Sequence, residues 1–209
     1  DVPIQYGEIV SHDARHAIVN FAQHEGSDAV LMERHPGRLH HQFFGKPVEW
    51  ILRKAPCDVV LVEDRSFDTV SEVTVLTDRS PYDPSKVRIA DALASEVGAT
   101  VRLVYTVQPS ATTDFRETIE EYHSELIDLC SAPVATEIVE TDGSVQELVA
   151  IAQRAEFLIM SRNHKLRYEF RRSRVDRVLD TVECPAVGVH AHKSERAGLP
   201  DRVFERIAF

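Results

Sequence analysis

SDAVLMERHPGRLHHQFFGKPVEWILRKAPCDVVLVE, residues Ser27–Glu63, has a counterpart at Ala155–His190, AEFLIMSRNHKLRYEFRRSRVDRVLDTVECPAVGVH. Each stretch opens on a short apolar run, Ala29–Met32 or Phe157–Met160, that breaks into a polar, basic loop. Apolar residues then recur at helical spacing: Val48, Ile51, Leu52 and Ala55 in one, Val175, Val178, Leu179 and Val182 in the other. Each closes on a cysteine (Cys57, Cys184) and a Val-rich run, Val59–Val62 or Ala186–Val189. Residues at i, i+3, i+4 and i+7 share one helix face, and short continuous apolar runs suit strands covered on both sides. The pattern predicts a strand–loop–helix–strand unit used twice.

Outward from that stretch, Val2–Val10 contains an extended segment. Ser11 or Asp13 is placed to cap a helix whose apolar face is Ala14, Ala17, Ile18, Phe21 and Ala22, with Gly26 as its stop. Downstream, Val73–Thr77 reads as a strand and Asp78–Pro84 as a turn-rich loop. Pro84 suits the first turn of a helix carrying Val87, Ala90, Leu93, Ala94 and Val97, ended by Gly98. Thr100–Val107 is a second strand, and Asp114 with Glu117 forms a capping box for a helix bearing Phe115, Ile119, Tyr122, Leu126 and Leu129. Val134–Val139 is a third strand, followed by a helix marked by Val145, Leu148, Val149 and Ala152. EIV at 8–10 recurs at 137–139, and FAQ at 21–23 recurs as IAQ at 151–153. Residues 1–64 therefore read as the back half of a unit whose complete form spans 71–192. Residues 65–70 form a linker, and 193–209 a tail with a short helix over Asp201–Phe209. Alternating strands and helices imply right-handed crossovers and a parallel sheet covered on both faces, an α/β/α fold.

The 209 residues carry a net charge of −10, which argues against a nucleic-acid partner held through its phosphates. No apolar run reaches the roughly 20 residues that span a bilayer. Three cysteines without metal spacing suit a reducing, cytoplasmic setting. The chain opens on Asp1, and a membrane or targeting segment upstream stays among the open arrangements.

Three features resemble the universal stress protein family. The first complete strand ends in Asp78, Gly98-Ala99 leads into the next strand, and each repeat has the family's strand 4–loop–helix 4–strand 5 pattern with its cysteine. The resemblance implies a five-stranded parallel sheet in the order 3-2-1-4-5, present here as one complete and one partial copy. ATP-binding members carry a G-x2-G-x9-G-[ST] loop, whose glycines let backbone N–H groups approach phosphates. In the first loop only Gly45 keeps its place, with Lys46 after it and Glu33 and Pro36 near the earlier glycine positions. Pro36 has no N–H to offer, and Glu33 would repel a phosphate. In the second, Ser161–Ser173 has no glycine; Ser161, His164 and Arg172 occupy or adjoin the glycine places, and Ser173 alone survives. The implied nucleotide-site residues are Asp78, Val104, Ser161, His164, Arg172 and Ser173. The expectation is a degenerate site without a cofactor, with ATP or AMP as the alternative.

Each candidate has a plainer reading beside the functional one. Asp78 also suits a strand end that caps its loop. Arg162, His164, Lys165, Arg167, Arg171, Arg172 and Arg174 form either an anion-holding patch or a solvated face paired with Glu169 and Asp176. His12/His16, His40/His41 and His190/His192 lack a third ligand at recognised spacing, so no metal is expected. No residue lies in a nucleophile-elbow or triad context, and a non-enzymatic module follows. The strand edge left by the missing half needs a partner. Val59–Val62 is expected to pair with Ala186–Val189, or each with its mate in a second chain, as the family's dimers imply. The resemblance further implies a regulatory module acting as the cytoplasmic tail of an amino-acid permease-type transporter, contacting the membrane part of the same polypeptide. The alternative is a free-standing nucleotide-binding stress protein.

Overall fold

Short apolar runs alternating with amphipathic segments give one seven-stranded sheet in the computed structural model, which describes residues 7–33, 47–63, 65, 69–162 and 174–192. In chain order the elements are α1 (Ala14–Glu25), β1 (Ala29–Glu33), α2 (Pro47–Lys54), β2 (Asp58–Glu63), β3 (Glu72–Thr77), α3 (Asp83–Val97) and β4 (Thr100–Val107). They continue as α4 (Thr113–Ile127), β5 (Val134–Glu140), α5 (Val145–Ala152), β6 (Phe157–Ser161), α6 (Arg174–Thr181) and β7 (Ala186–His190). The sheet runs β1-β2-β7-β6-β3-β4-β5.

Strands β3 to β7 pair with one another only in parallel and stand in the order β5-β4-β3-β6-β7, which is 3-2-1-4-5 counted within that unit. The expected sheet is therefore present. It is extended by two strands, because β2 joins β7 antiparallel and β1 joins β2 in parallel. Both repeats keep one register: Val30 faces Val59 in the first, and Leu158 faces Ala186 in the second. Their junction is close to two-fold. Leu61 faces Gly188, which holds the same place in its own repeat, and Val59 faces His190 while Ala186 faces Glu63. Position 61 thus meets its own counterpart, while 59 and 63 each meet the counterpart of the other, the pattern of an isologous contact. The strands expected to carry self-association meet each other inside one chain. With β1 on one side of β2 and β6 on one side of β7, neither keeps an open edge for a second copy.

Alternation along the strands divides the core between the two faces. Val73, Val75, Leu103, Ile159, Val187 and Val60 pack on one face against Val87, Ala90, Tyr122 and Leu126 from α3 and α4. Leu76, Val104, Leu158, Met160 and Ala186 pack on the other against Ile151, Ala152, Val178 and Leu179 from α5 and α6. A smaller cluster joins Val19 of α1 and Ile51, Leu52 and Ala55 of α2 to Val59 and Leu61.

Helix ends follow the local chemistry with one change. Asp13 caps α1 by accepting from the Arg15 N–H at 2.9 Å, and Gly26 closes it in the left-handed conformation. For α4 the cap is Thr112, whose hydroxyl accepts from the Phe115 N–H at 3.3 Å, so Asp114 lies inside the first turn and not at its head. Gly7–Val10 do not form the expected strand, and the rest of that segment lies outside the described residues, as do the linker positions 64 and 66–68 and the tail from 193. The described part of the linker is packed: Val70 is buried, and Arg65 bonds Glu63 and donates to the Leu179 carbonyl at 2.6 Å.

Candidate functional site

In a parallel α/β sheet, ligands bind where neighbouring strands send their chains to opposite faces, at the carboxyl ends. Here that place lies between β3, followed by α3 on one face, and β6, followed by α6 on the other. Asp78 stands just past β3 and Ser161 ends β6. Arg79, with φ at 53°, turns the chain sharply between them and Ser80.

Asp78 is engaged by its own protein. Its Oδ1 accepts from Ser80 Oγ at 2.6 Å, Ser161 Oγ at 3.1 Å and Lys86 Nζ at 3.3 Å. Lys86 is fully buried, a rare state for an ammonium, and is matched by three oxygens. It lies 2.6 Å from Asp83 Oδ1, at the i, i+3 spacing of the first turn of α3, and also bonds the Leu76 carbonyl and Asp78. Asp83 Oδ2 accepts from the Tyr122 hydroxyl at 2.6 Å and from the Asp78 N–H at 3.1 Å.

The charges follow from this geometry. Burial pulls against the Asp78 carboxylate, but the Lys86 ammonium and the Ser80 hydroxyl outweigh it, and its pKa ends lowered at about 2. Burial drives Asp83 the other way, up to about 6 against the pull of Lys86, leaving it ionised at neutral pH. Burial also opposes the Lys86 charge, and the two carboxylates beside it overcome that and raise its pKa. Behind them lies His123, buried on α4. The Thr77 hydroxyl donates its proton to the Val104 carbonyl at 3.1 Å, so at 2.9 Å it must accept from His123 Nε2. The opposite nitrogen, Nδ1, is buried without a hydrogen-bond partner, and burial lowers the pKa to about 4. The imidazole is neutral, with its proton on Nε2.

Of the residues implied from sequence, the structure brings Asp78 and Ser161 together. Val104 sits apart: its side chain is core, packed with Leu76 and Leu158, and only its carbonyl reaches the cluster. His164, Arg172 and Ser173 lie outside the described residues, as do Pro36, Gly45 and Lys46. Lys86, Asp83, Tyr122 and His123 were not foreseen. The acid–base spacing of Asp83 and Lys86 was the available signal, but it is also the spacing of an ordinary surface pair.

The basic loop residue Arg162 is an internal strut, bonding Asp176 at 3.1 Å and Glu49 of the other repeat at 3.0 Å. Arg174 donates to the Gly143 carbonyl at 3.3 Å. His16 pairs with Asp13 and lies against Trp50, and no metal-holding group of three side chains occurs among the described residues. No helix among them is long and apolar enough to cross a membrane.

Residues 1–63 match the sequence profile of the Universal stress protein family. A universal stress protein from Archaeoglobus fulgidus superposes with a TM-score of 0.60 at 15% identity, over 86% of this chain and 66% of that one. The fold is that of the universal stress proteins. This chain thus spans just under two thirds of that relative's length. A putative universal stress protein from Pseudomonas aeruginosa superposes with a TM-score of 0.56 at 18% identity, over 93% of this chain and 74% of that one. A further universal stress protein from A. fulgidus, solved in complex with dAMP, gives 0.47 at 14% identity over 58% and 99%, too loose a likeness to bear on ligands here. No curated protein matches the sequence.

Proposed function

We propose that this chain is a non-enzymatic regulatory module built from a partial (1–64) and a complete (71–192) universal-stress-type domain in tandem. Its switch-point crevice is filled by its own side chains. The observation that supports this most is the Lys86 ammonium on Asp78, which supplies from inside the cation and hydrogen bonds that a ligand would otherwise satisfy. The glycine-poor loop sequences point the same way, since a triphosphate needs bare backbone to lie against. Such a module would act by contact. A place as the cytoplasmic tail of an amino-acid permease-type transporter is supported by the sequence resemblance alone.

A second reading is an adenine-nucleotide receptor. It is favoured by one feature: the Asp78 side chain remains 42% exposed beside the Ser80 and Ser161 hydroxyls. Isothermal titration with ATP and AMP separates the two. The regulatory reading expects dissociation constants weaker than about 1 mM for both. Micromolar binding that disappears in Asp78→Ala would replace it with the receptor reading.

A further inference from the structure

Ser161 ends β6, and Arg162 continues its pairing with β7 through an N–H bond to the Val189 carbonyl at 2.7 Å. Strand alternation turns these two side chains to opposite faces of the sheet. Ser161 shares a face with Ile159 and donates to Asp78 Oδ1 at 3.1 Å. Arg162 shares a face with Leu158 and Met160, where its guanidinium bonds Asp176 in the first turn of α6 and Glu49 in the first turn of α2. Those two carboxylates hold the same place in the two repeats, so Arg162 bridges equivalent groups across the near two-fold junction. A β-carbon at Gly188 would stand 3.7 Å from Arg162 Cβ and Cδ, and the glycine leaves room for the arginine stem to cross β7. A second connection reaches the same residue. The Arg162 carbonyl can only accept, so His190 Nδ1 donates to it at 3.1 Å, and the His190 ring lies 5.7 Å from that of Tyr82 in the crevice loop. Arg162 Nη1 is buried without a hydrogen-bond partner. The strut thus holds the junction with part of its bonding capacity unmet, and release toward water would recover it.

We propose that residues 161–162 relay the state of the Asp78 crevice to the junction between the repeats. When Ser161 is drawn away from Asp78, the end of β6 shifts, Arg162 lets go of Glu49, and α2 and β2 loosen from the larger unit. The trigger is a hydrogen-bond donor that takes Asp78 Oδ1 from Ser161, and the 42% exposure of the Asp78 side chain leaves it open to one. Packed interfaces answer such a small shift by exchanging one set of contacts for another, not by bending gradually. The relay names a regulation for the module proposed above and rests on that reading for its purpose. Its physical claim is tested without a ligand, so it and the nucleotide titrations can fail separately.

Hydrogen exchange of the whole chain reads the junction at the β2 and β7 amides, and the fluorescence of Trp50, the single tryptophan and the neighbour of Glu49, reads α2. Ser161→Ala should speed exchange of the β2 and β7 amides by about threefold or more and shift the Trp50 emission, with the β4 and β5 amides staying within about twofold. Arg162→Gln should speed the junction amides by about tenfold. Adding Ser161→Ala to it should change them no further, because the side chain that carries the effect is gone. Arg162→Lys keeps the charge but not the fork that bonds two carboxylates, and it should carry less of the Ser161→Ala effect than arginine does, which preserves the test where the glutamine variant does not fold. Unchanged junction amides in Ser161→Ala overturn the proposal. So does equal speeding of β4 and β5, or the same factor from Ser161→Ala with and without the arginine.

Discussion

Strands β6 and β1 hold the same place in the two repeats, with near-identical apolar content, and differ almost completely in exposure. FLIMS is buried at all five positions, whereas AVLME alternates between exposed and half-buried. Nothing within either strand accounts for this. What differs is β3 and α3, which lie against β6 and have no counterpart against β1 among the described residues. Burial of an apolar strand is therefore a property of its neighbours, and the larger unit holds its stability where β3 and α3 meet β6. The ion cluster sharpens the contrast, because Asp78, Asp83 and Lys86 all belong to that neighbour.

The largest effect is expected from Lys86→Met. Methionine fills the space but leaves Asp78 and Asp83 facing one another without their cation, at a cost of about 3–5 kcal/mol. Urea unfolding measures it. A loss under about 1 kcal/mol would mean that water replaces the ammonium, and the crevice would then be open to a ligand. Next comes a matched pair of truncations at equivalent sites. Ile159→Ala should cost about 3 kcal/mol, as for other buried large-to-small changes, whereas Leu31→Ala should stay within about 0.5 kcal/mol. Equal losses would mean that Leu31 is covered in solution and that its side of the sheet already has an occupant.

Alternating strands and helices made a parallel sheet with right-handed crossovers legible before any coordinates, and the resemblance to universal stress proteins supplied the strand order. The resemblance also implied that Val59–Val62 pairs either with Ala186–Val189 or with its mate in a second chain, and the structure shows the first. Where local chemistry offers rival solutions, the sequence reads less well. Thr112 and Asp114 are both good caps, and Thr112 takes the role. Lys86 reads as a solvated helix residue because the oxygens that hold it come from β3, its loop and its own helix, which only the fold assembles. Val104 carries the opposite lesson: strand alternation turns its side chain to the core and leaves its carbonyl to bond Thr77.

The smallest expected effect is a pH response between pH 6.5 and 4 that centres on His123 and Asp83 of the larger unit. His123 titrates near 6.5 when unfolded and at about 4 when folded, so between those values the unfolded chain binds the extra proton, and acidification removes stability. Asp83 has the opposite sign. Its folded value of about 6 lies above the unfolded 3.8, so from pH 6 to 4 the folded chain holds the extra proton and acidification adds stability. The two contributions oppose one another, so from pH 6.5 to 4 stability should change less than either group alone would dictate. Below pH 4 Asp78, lowered to about 2, loses its stabilising charge together with other carboxylates held low in the fold, among them Asp13 and Asp142, and the curve should fall. His123→Gln keeps a donor for Thr77 but removes one side of the balance. Its stability should therefore rise on acidification from pH 6 to 4 by about 1–3 kcal/mol. A flat profile for the variant would show that Asp83 remains ionised throughout that range, held by Lys86 more firmly than its burial opposes. Between pH 6 and 4 hydrogen exchange, corrected for the intrinsic pH dependence, should place these changes in β3, β4 and α4 and leave α1 and β1 unaffected.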